Sequence, residues 1–285
     1  MSILVNHLVY KYNPGTPMES VAVDDVSFEL KEGEFVGLIG HTGSGKSTLV
    51  QHLNGILKPT SGSVYYNGRD VFDGDYDLKE LRSHVGLVFQ YPEHQLFETD
   101  VFKDVCFGPK NLGLSQKETE LRAYKALKLV GIEDDFFYQS PFDLSGGQKR
   151  RVAIAGVLAM EPEVLVLDEP TAGLDPKGRD ELLLQLKSVQ KETGCTIVLV
   201  SHSMEDVAEY ADRLLVMNKG KLIYDDKPVN VFRHADKLKE MGLGIPAITD
   251  AMYKLKASGF DVSTDILTVD QAVNEILKCF PRINK

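Results

Sequence analysis

The chain has 285 residues, 43% of them hydrophobic and 26% charged, which is the balance of a globular protein with room for one large domain and a smaller appendage. Its 32 basic and 42 acidic residues give a net charge of −10, which opposes binding to nucleic acid through a general basic field. The apolar runs are far shorter than the roughly 20 residues that cross a bilayer, and the N-terminal residues lack a signal-peptide pattern. With three scattered cysteines, these features predict a protein kept in the cytosol.

The predicted strands are short and largely apolar, and helices separate the later ones. Alternating apolar residues predict a hairpin or meander over 2–12 and 19–30, whereas the later strands are short and mostly apolar. Short apolar strands that alternate with helices are typical of a parallel sheet buried on both faces. The sequence thus predicts an α/β fold with an antiparallel β subdomain. In chain order, the predicted strands are 2–12, 19–30, 35–39, 63–66, 85–89, 164–167, 196–200 and 213–217, and helices are predicted at 46–57 and 177–192.

Two other regions interrupt this pattern. From Asp100 to Met160, apolar residues recur with a helical period, which predicts a helical lobe of its own over about 91–160. Past about Val229, glycine and proline residues break up two modest helices near 247–258 and 269–279. We therefore predict a large domain over 1–229 and a small α-rich appendage over 230–285.

A glycine-rich loop joins the strand at 35–39 to the helix that begins near Lys46. It fits the pattern Gly-x4-Gly-Lys-Ser, in which glycines let backbone N–H groups turn toward phosphate oxygens. Lys46 can reach the β- and γ-phosphates, Ser47 can offer its hydroxyl to Mg²⁺, and the helix directs its N-terminus at the anion. The alternative is a glycine turn before an ordinary helix, but both flanking elements of a phosphate loop are present. The loop predicts a P-loop nucleoside triphosphatase core of the RecA-like kind, with the nucleotide held by Gly40, His41, Thr42, Gly43, Ser44, Gly45, Lys46, Ser47 and Thr48.

Two carboxylates close the apolar strand at 164–167. Asp168, at the carboxyl end of the strand, can hold Mg²⁺ through its water shell, and Glu169 can polarise an attacking water molecule. An Asp-Glu pair alone is a weak signal, but beside a phosphate loop it is a strong one. We predict that Asp168 is a metal ligand and that Glu169 is catalytic.

The string Leu-Ser-Gly-Gly-Gln, from Leu144 to Gln148, is a second candidate for anion binding. A Ser-Gly-Gly turn at a helix start offers free N–H groups, a hydroxyl and the positive end of the helix dipole. The alternative is that Ser145 is an ordinary helix cap, and the two interpretations are compatible. One chain therefore carries two separate phosphate-binding surfaces, the second formed by Ser145, Gly146, Gly147 and Gln148.

This string resembles the signature motif of the ABC ATPase superfamily, and the remaining motifs stand in that family's order. The resemblance covers roughly residues 2–225 and implies that the nucleotide is ATP. It also places a Q-loop glutamine, a D-loop aspartate and a switch histidine in this sequence. The residues it implies are Glu169, His202, Gln90 and Asp175 for catalysis and Ser47, Gln90 and Asp168 for the metal ion.

The same resemblance implies how ATP is held and cleaved. An aromatic side chain stacks on adenine; Tyr12 is the favoured residue, and Tyr10, two positions away, is the alternative. Two such domains pair head to tail, so that ATP lies between the phosphate loop of one and the signature string of the other. Glu169 then activates water, while His202 steadies the γ-phosphate and that water.

Further stretches are similar to the ATPases of energy-coupling-factor transporters, most of all to the second, CbiO-like member of the ATPase pair (EcfA-prime). These stretches are 51–55, 90–97 and 107–109, with His41 and Thr42 in the phosphate loop. The resemblance implies ATP-driven import of a vitamin or a transition-metal ion at the cytoplasmic face of the membrane. Its partners would be a second ATPase chain in a heterodimer, a membrane coupling subunit and a substrate-capture subunit, with the appendage pairing the two ATPases.

Residues 90–97 are expected to line a groove for a helix of the coupling subunit, apolar inside and acidic at the rim through Glu93 and Glu98. A surface loop with incidental aromatic residues is the alternative. Two other functions fit the motifs less well. One is an ordinary ABC importer or exporter, and the other is a soluble ABC ATPase acting on DNA or ribosomes, which the acidic net charge disfavours.

Overall fold

Ten β-strands lie within residues 2–279, the part of the chain that the computed structural model describes. In chain order they are β1 (Ser2–Tyr12), β2 (Ser20–Lys31), β3 (Phe35–Gly40), β4 (Ser61–Tyr66), β5 (Arg69–Asp70), β6 (Val85–Val88), β7 (Val164–Asp168), β8 (Thr196–Val200), β9 (Arg213–Asn218) and β10 (Lys221–Asp226). The eight strands predicted from the sequence are confirmed within about two residues at each end, and β5 and β10 are additional.

Helices lie between these strands and also follow the last of them. In chain order they are α1 (Lys46–Leu53), α2 (Leu78–His84), α3 (Val101–Asn111), α4 (Gln116–Leu129), α5 (Gly146–Leu158), α6 (Pro176–Thr193), α7 (Met204–Tyr210), α8 (Pro228–Phe232), α9 (Ala235–Glu240), α10 (Ala247–Ala257) and α11 (Val269–Cys279). Helix α1 is shorter than predicted because Gly55 turns the chain with a φ of +68° and the side-chain amide of Asn54 donates to the carbonyl of Val85. None of the helices within 2–279 is long and apolar enough to cross a membrane.

A six-stranded sheet in the order β10-β9-β3-β8-β7-β6 forms the centre of the fold, and all its strands are parallel except β10. Alternate residues of its strands enter different apolar clusters. In β7, for example, Val164 and Val166 face one cluster, and Leu165 and Leu167 face another. Both faces are covered, as predicted, because a strand whose residues are all apolar has no side to turn toward water. The phosphate loop and the carboxylates at 168–169 lie at the carboxyl end of this sheet, the usual position of a ligand site in α/β folds.

The second sheet is antiparallel, in the order β2-β1-β4-β5. Its apolar residues, such as Val5 and Leu30, pack with Val36 and Val166 of the central sheet. The two sheets are also joined at an edge, where the N–H of Asp24 donates to the carbonyl of Gly220, 2.9 Å away. The predicted antiparallel subdomain thus covers one face of the parallel sheet.

The helical lobe consists of α3, α4 and α5 and packs on the opposite face. Its apolar residues, including Val105 and Leu127, belong to the same cluster as Leu165 and Leu167 of β7. The lobe is distinct in sequence but shares its core with the sheet. This follows from α5, which begins at the signature string, packs against β6 as well as against α3 and α4, and has no exposed residue after Gly146.

The C-terminal residues form two packed groups. Val231 and Phe232 of α8 pack with Val216 of β9, so the first part of the tail is attached to the central sheet. Helices α10 and α11 form a separate small cluster around Met252 and Ile266. Both helices that the sequence predicted here are present, and residues 280–285 of the predicted appendage lie outside the described residues.

Candidate functional site

The phosphate loop between β3 and α1 approaches neighbouring backbone so closely that two of its glycines cannot be replaced. A Cβ on Gly45, whose φ is +101°, would overlap the carbonyl oxygen of Ala22. A Cβ on Gly40 would overlap the Ser44 hydroxyl and would lie 2.5 Å from the carbonyl oxygen of Met217. The glycines predicted from the phosphate-binding pattern are therefore also required by the packing of the loop.

Lys46 is buried at the start of α1, with 5% of its surface exposed. Its ammonium donates to the carbonyl oxygens of Gly40 and His41, at 2.8 and 3.2 Å. Burial lowers the pKa of Lys46, and the nearby carboxylates of Glu169 and Asp168 oppose that shift. The loop thus holds a cation at its centre, directed at the position where phosphate oxygens would lie.

The phosphate loop is fastened to the turn between β9 and β10. The ring of His41 is 2.7 Å from the carbonyl oxygen of Thr42 through Nδ1 and 3.1 Å from Oδ1 of Asn218 through Nε2. The N–H of Gly220 donates to the carbonyl of Ser44 at 3.0 Å. Asn218 was not predicted as a site residue, because a strand-end asparagine far along the chain carries no motif of its own.

Asp168 fits the metal-binding role predicted for it. It is 7% exposed, accepts a hydrogen bond from the Ser47 hydroxyl, and has a second oxygen, Oδ1, that has no partner among the described residues. Burial raises the pKa of Asp168, and the charge of Glu169 adds to that effect. A buried carboxylate oxygen without a partner is costly unless a cation completes it. One carboxylate and one hydroxyl match the sparse protein ligation that Mg²⁺ adopts beside a phosphate group.

Glu169 is contacted by both of the other predicted catalytic side chains of this cavity. Its Oε1 is 2.6 Å from Nε2 of His202, and its Oε2 accepts from Nε2 of Gln90 at 2.8 Å. The backbone of Glu169 takes a φ of +51°, while its N–H still donates to the carbonyl of Val200 at 3.1 Å. This left-handed turn at the end of β7 directs the carboxylate along the cavity rather than across the sheet.

These groups line one cavity of about 320 Å³ at the carboxyl end of the sheet. It combines the loop cation, the helix N-terminus of α1 and a carboxylate held between an amide and an imidazole. The lining residues are Thr42, Gly43, Gly45, Lys46, Ser47, Thr48, Gln90, Glu169 and His202.

The aromatic residues at the end of β1 differ in exposure. Tyr12 is 39% exposed, and its hydroxyl lies 3.0 Å from the hydroxyl of Thr48. Tyr10 is more enclosed and packs edge-on against His52, with ring centroids 4.9 Å apart. The two tyrosines are perpendicular at 4.9 Å, so Tyr10 supports Tyr12 and leaves its ring accessible.

The signature string forms a second cavity of about 480 Å³. Ser145 caps α5 by accepting from the N–H of Gln148, and the Gln148 side chain accepts from the N–H of Ser145 at 2.9 Å, which is a capping box. Asp175 caps α6 in the same way, accepting from the N–H of Gly178 at 2.7 Å. Ser145 therefore caps a helix, and it also lies in a cavity together with Gly146, Gly147, Gly173 and Asp175, so its predicted role in phosphate binding stays compatible with the cap.

The two cavities have no lining residue in common among those that the structure describes. The structure brings the phosphate loop together with Gln90, Glu169 and His202. It does not bring Ser145, Gly147 or Asp175 to them. Each chain thus presents two separate cavities.

Arg150, one helical turn into α5, was also missed by sequence reasoning. Its guanidinium is buried, binds the carboxylate of Glu93 in a bidentate way, and donates to the carbonyls of Pro170 and Ala172. It joins the loop after Gln90 to the signature helix and to the segment after Glu169. A single arginine in a basic run gives no sequence signal that it is buried.

A largely apolar groove of about 520 Å³ lies between the lobe and α2. Of the predicted lining residues 90–97, only Gln95, Leu96 and Phe97 line it, and Phe107 packs edge-on against Phe97 at 4.9 Å. The acidic-rim prediction is wrong, because within residues 2–279 neither Glu93 nor Glu98 lines the groove. Glu93 points inward to Arg150, and the charged groups at the groove are those of Lys79, Arg82 and Asp104.

A phosphate loop, a strand-end Asp-Glu pair, a histidine at the end of the next strand and a separate Leu-Ser-Gly-Gly-Gln helix start together define the ATP-binding cassette class of ATPases. The family model described as ABC transporter matches residues 23–172. The chain is 56% identical to the energy-coupling factor transporter ATP-binding protein EcfA2 of Clostridium tetani, over 98% of both chains. It is 49% identical to the protein of the same description from Enterococcus faecalis, over 98% of this chain and 97% of the relative.

Solved structures agree with these relatives. CbiO1 of Clostridium perfringens, described as part of the ABC transporter complex cbiONQ, has a TM-score of 0.75 and 41% identity over 88% of this chain and 98% of that one. The dimeric ATP-binding cassette MJ0796 bound to ADP and Pi has a TM-score of 0.69 and 31% identity, over 79% and 98%. The chain belongs to the family of energy-coupling factor transporter ATP-binding proteins, and it is an ABC-type ATPase.

Proposed function

We propose that two ATPase chains pair head to tail and close two composite sites, each made of the phosphate-loop cavity of one chain and the signature cavity of the other. The separation of the two cavities within one chain carries this proposal, because the phosphate loop around Lys46 and the helix start at Ser145 both suit phosphate oxygens but share no lining residue among those described. Ser145 and Gly147, at the positive N-terminal end of α5, would contact the γ-phosphate held by the partner. The dimeric state of MJ0796 with ADP and Pi is consistent with such pairing.

Within a composite site, the residues of this chain have distinct roles. Lys46 and the loop N–H groups hold the β- and γ-phosphates, and Tyr12 stacks on adenine, a role favoured by its exposure over that of Tyr10. Ser47, Asp168 and Gln90 would hold Mg²⁺. That ion would neutralise charge on the β- and γ-phosphates.

Hydrolysis follows from the arrangement around Glu169. Its carboxylate accepts a proton from water as the water oxygen attacks the γ-phosphorus. The bond from that phosphorus to the β–γ bridging oxygen breaks, and ADP and phosphate leave. His202, 2.6 Å from Glu169, and Gln90, 2.8 Å from it, orient the carboxylate and the water. Asp175 would act across the dimer from the edge of the signature cavity.

We further propose that the groove lined by Leu96, Phe97 and Phe107 receives a helix of a membrane coupling subunit. Its floor is apolar, and Lys79, Arg82 and Asp104 give its rim both signs of charge. The occupant is therefore expected to be an amphipathic helix that carries at least one acidic residue.

The transport proposal follows from these partners. The chain would act at the cytoplasmic face of the membrane, as a peripheral subunit beside a paralogous ATPase, a coupling subunit and a substrate-capture subunit for a vitamin or a transition-metal ion. The appendage over 230–285 is proposed to pair the two ATPases. In support, Val269 and Val273 expose 63% and 48% of their surfaces along α11.

Co-purification tests this proposal. The full chain, tagged in its native cells and extracted in detergent, is expected to carry a second ATPase, a polytopic membrane protein and a small hydrophobic capture protein. Phe97→Asp should remove the membrane proteins, and Lys103→Asp, an exposed change on α3 outside the groove, should retain them. Recovery of the tagged chain without any membrane protein would count against the transport proposal.

A further inference from the structure

Helix α7, which follows His202, contacts the C-terminal appendage through its first turn. Oε1 of Glu205 accepts from the N–H of Ala247, the first residue of α10, at 3.2 Å. Pro246 precedes that helix and has no side-chain group that could cap it. The first N–H groups of a helix need acceptors and favour negative charge. Glu205 therefore supplies, from a distant part of the chain, the cap that α10 lacks.

The carboxylate of Glu205 also contacts the turn that contains His202. The Ser203 hydroxyl donates to Oε2 of Glu205 at 3.5 Å and accepts from the N–H of Asp206 at 3.1 Å. The N–H of Ser203 in turn donates to the Ser201 hydroxyl at 3.0 Å, and Ser201 is 3% exposed. His202 stands between these two serines, so its backbone is fixed on both sides.

Apolar contacts strengthen this attachment. Met204 is 6% exposed and packs in one cluster with Leu238 and Leu243 of the tail. A Cβ on Gly244 would lie 3.8 Å from Cγ of Met204, which is ordinary packing distance. The first turn of α7 is thus held by the appendage through both a hydrogen bond and a buried side chain.

We propose that Glu205 is a positioning residue for hydrolysis. By joining the start of α10 to the first turn of α7, it fixes the ring of His202 against the carboxylate of Glu169, 2.6 Å away. The appendage then has a role inside its own chain, separate from any pairing of chains. This inference rests on the proposed role of His202 in hydrolysis.

ATP hydrolysis by the native complex tests the inference. Glu205→Ala is expected to lower kcat three- to tenfold and to change the KM for ATP less than twofold, because the phosphate loop is not involved. The matched control is Asp250→Ala. Asp250 lies in the first turn of α10 and pairs with Lys254 and Lys239 of the tail, at 2.6 and 3.6 Å. This change weakens the same helix without acting on α7 and should leave kcat within twofold.

A spectroscopic measurement separates positioning from loss of structure. The full chain contains seven histidines, so ¹³Cε1-histidine labelling gives a readable spectrum in which His202→Ala identifies the His202 signal. That signal should move in Glu205→Ala and not in Asp250→Ala. Glu205→Gln keeps an acceptor oxygen and should recover most of the wild-type kcat and signal position. Should Glu205→Ala not fold, Glu205→Leu, which keeps a side chain of similar size but cannot accept a hydrogen bond, takes its place.

Two results would overturn the proposal: a kcat within twofold of wild type in the Glu205 variant, or a reduced kcat with the His202 signal unmoved. The proposed role of His202 has its own test. If His202→Ala retains turnover, that role is wrong, whereas an inactive His202→Ala beside a fully active Glu205→Ala removes only the role of Glu205.

Discussion

The guanidinium of Arg150 and the carboxylate of Glu93 form a buried bidentate ion pair, with Nη2 and Nε 2.6 and 3.0 Å from the two carboxylate oxygens. The remaining nitrogen of Arg150, Nη1, donates to the carbonyls of Pro170 and Ala172. One side chain therefore connects the loop after Gln90, the signature helix and the segment after Glu169. A movement of the helical lobe would therefore act, through Arg150, on the loop after Gln90 and on the segment after Glu169.

We expect Glu93→Gln to lower the free energy of unfolding by about 2–4 kcal/mol, since removing one partner leaves the Arg150 charge buried and underpaired. Urea unfolding followed by circular dichroism measures this loss. Glu98→Gln, five residues away in the same segment, should cost less than about 0.5 kcal/mol. Equal losses for the two variants would show that the pair contributes little.

The same pair predicts a dependence of stability on pH. Burial opposes ionisation of Glu93, but the hydrogen bonds and charge of Arg150 outweigh it and hold the pKa of that carboxyl below its ordinary value of 4.5. A lowered pKa stabilises the folded state above pH 4.5, and this contribution is lost as the pH falls through the folded-state value. The difference in stability between wild type and Glu93→Gln should therefore be constant from pH 7 to 5.5 and should shrink below pH 4.5. A difference that grows on acidification would reverse the assigned sign.

Glu169→Gln should lower kcat by about 100-fold or more, because an amide cannot accept the proton from water. The variant keeps the size of the side chain and should bind ATP with a Kd within threefold of wild type. Steady-state phosphate release and titration with a fluorescent ATP analogue measure the two properties. Retained steady-state turnover would remove Glu169 from the catalytic role.

Asn218→Ala tests the attachment of the phosphate loop to the β9–β10 turn. Loss of its hydrogen bond to His41, worth about 0.5–1.5 kcal/mol, should weaken ADP binding by about 2–12-fold. Lys219→Ala alters the exposed neighbouring residue of the turn and is the control. If both variants bind ADP as wild type does, the contact with His41 does not shape the loop.

Tyr12→Ala should weaken ATP binding by about 5–150-fold, a range set by the 1–3 kcal/mol that base–aromatic stacking contributes. Tyr12→Phe keeps the ring, loses only the contact with the Thr48 hydroxyl, and should stay within threefold. Isothermal titration with ATP and with GTP measures both variants. A stronger effect on binding from Tyr10→Ala than from Tyr12→Ala would favour Tyr10 as the stacking residue instead.

The elements that were predicted correctly from the sequence are those whose conformation is determined by residues close together in the chain. The apolar run at 164–167 and the glycines around Lys46 constrain their own backbone, so strand, loop and helix follow from a few neighbouring residues. The separation of the signature string from the phosphate loop was also predictable, since the string begins a different helix.

What the sequence could not provide were partners far apart along the chain. Asn218 reaches His41 across 177 positions, and Arg150 reaches Glu93 across 57. Which carboxylate of 93 and 98 turns inward depends on the 3₁₀ turn at Pro92–Gln95, and no local pattern distinguishes them. The acidic rim was inferred from the presence of two glutamates in this segment, and their presence does not show which way each side chain points.

The left-handed backbone of Glu169 has a consequence for attempts to evolve this protein in the laboratory. A glutamate at a φ of +51° costs on the order of 1–3 kcal/mol, and glycine at the same position would relieve that strain. A screen that scores only heat resistance will therefore enrich chains that have lost the carboxylate. Selection for thermal stability favours glycine at position 169, whereas the proposed hydrolysis requires glutamate there. A library must therefore be scored for phosphate release from its first round.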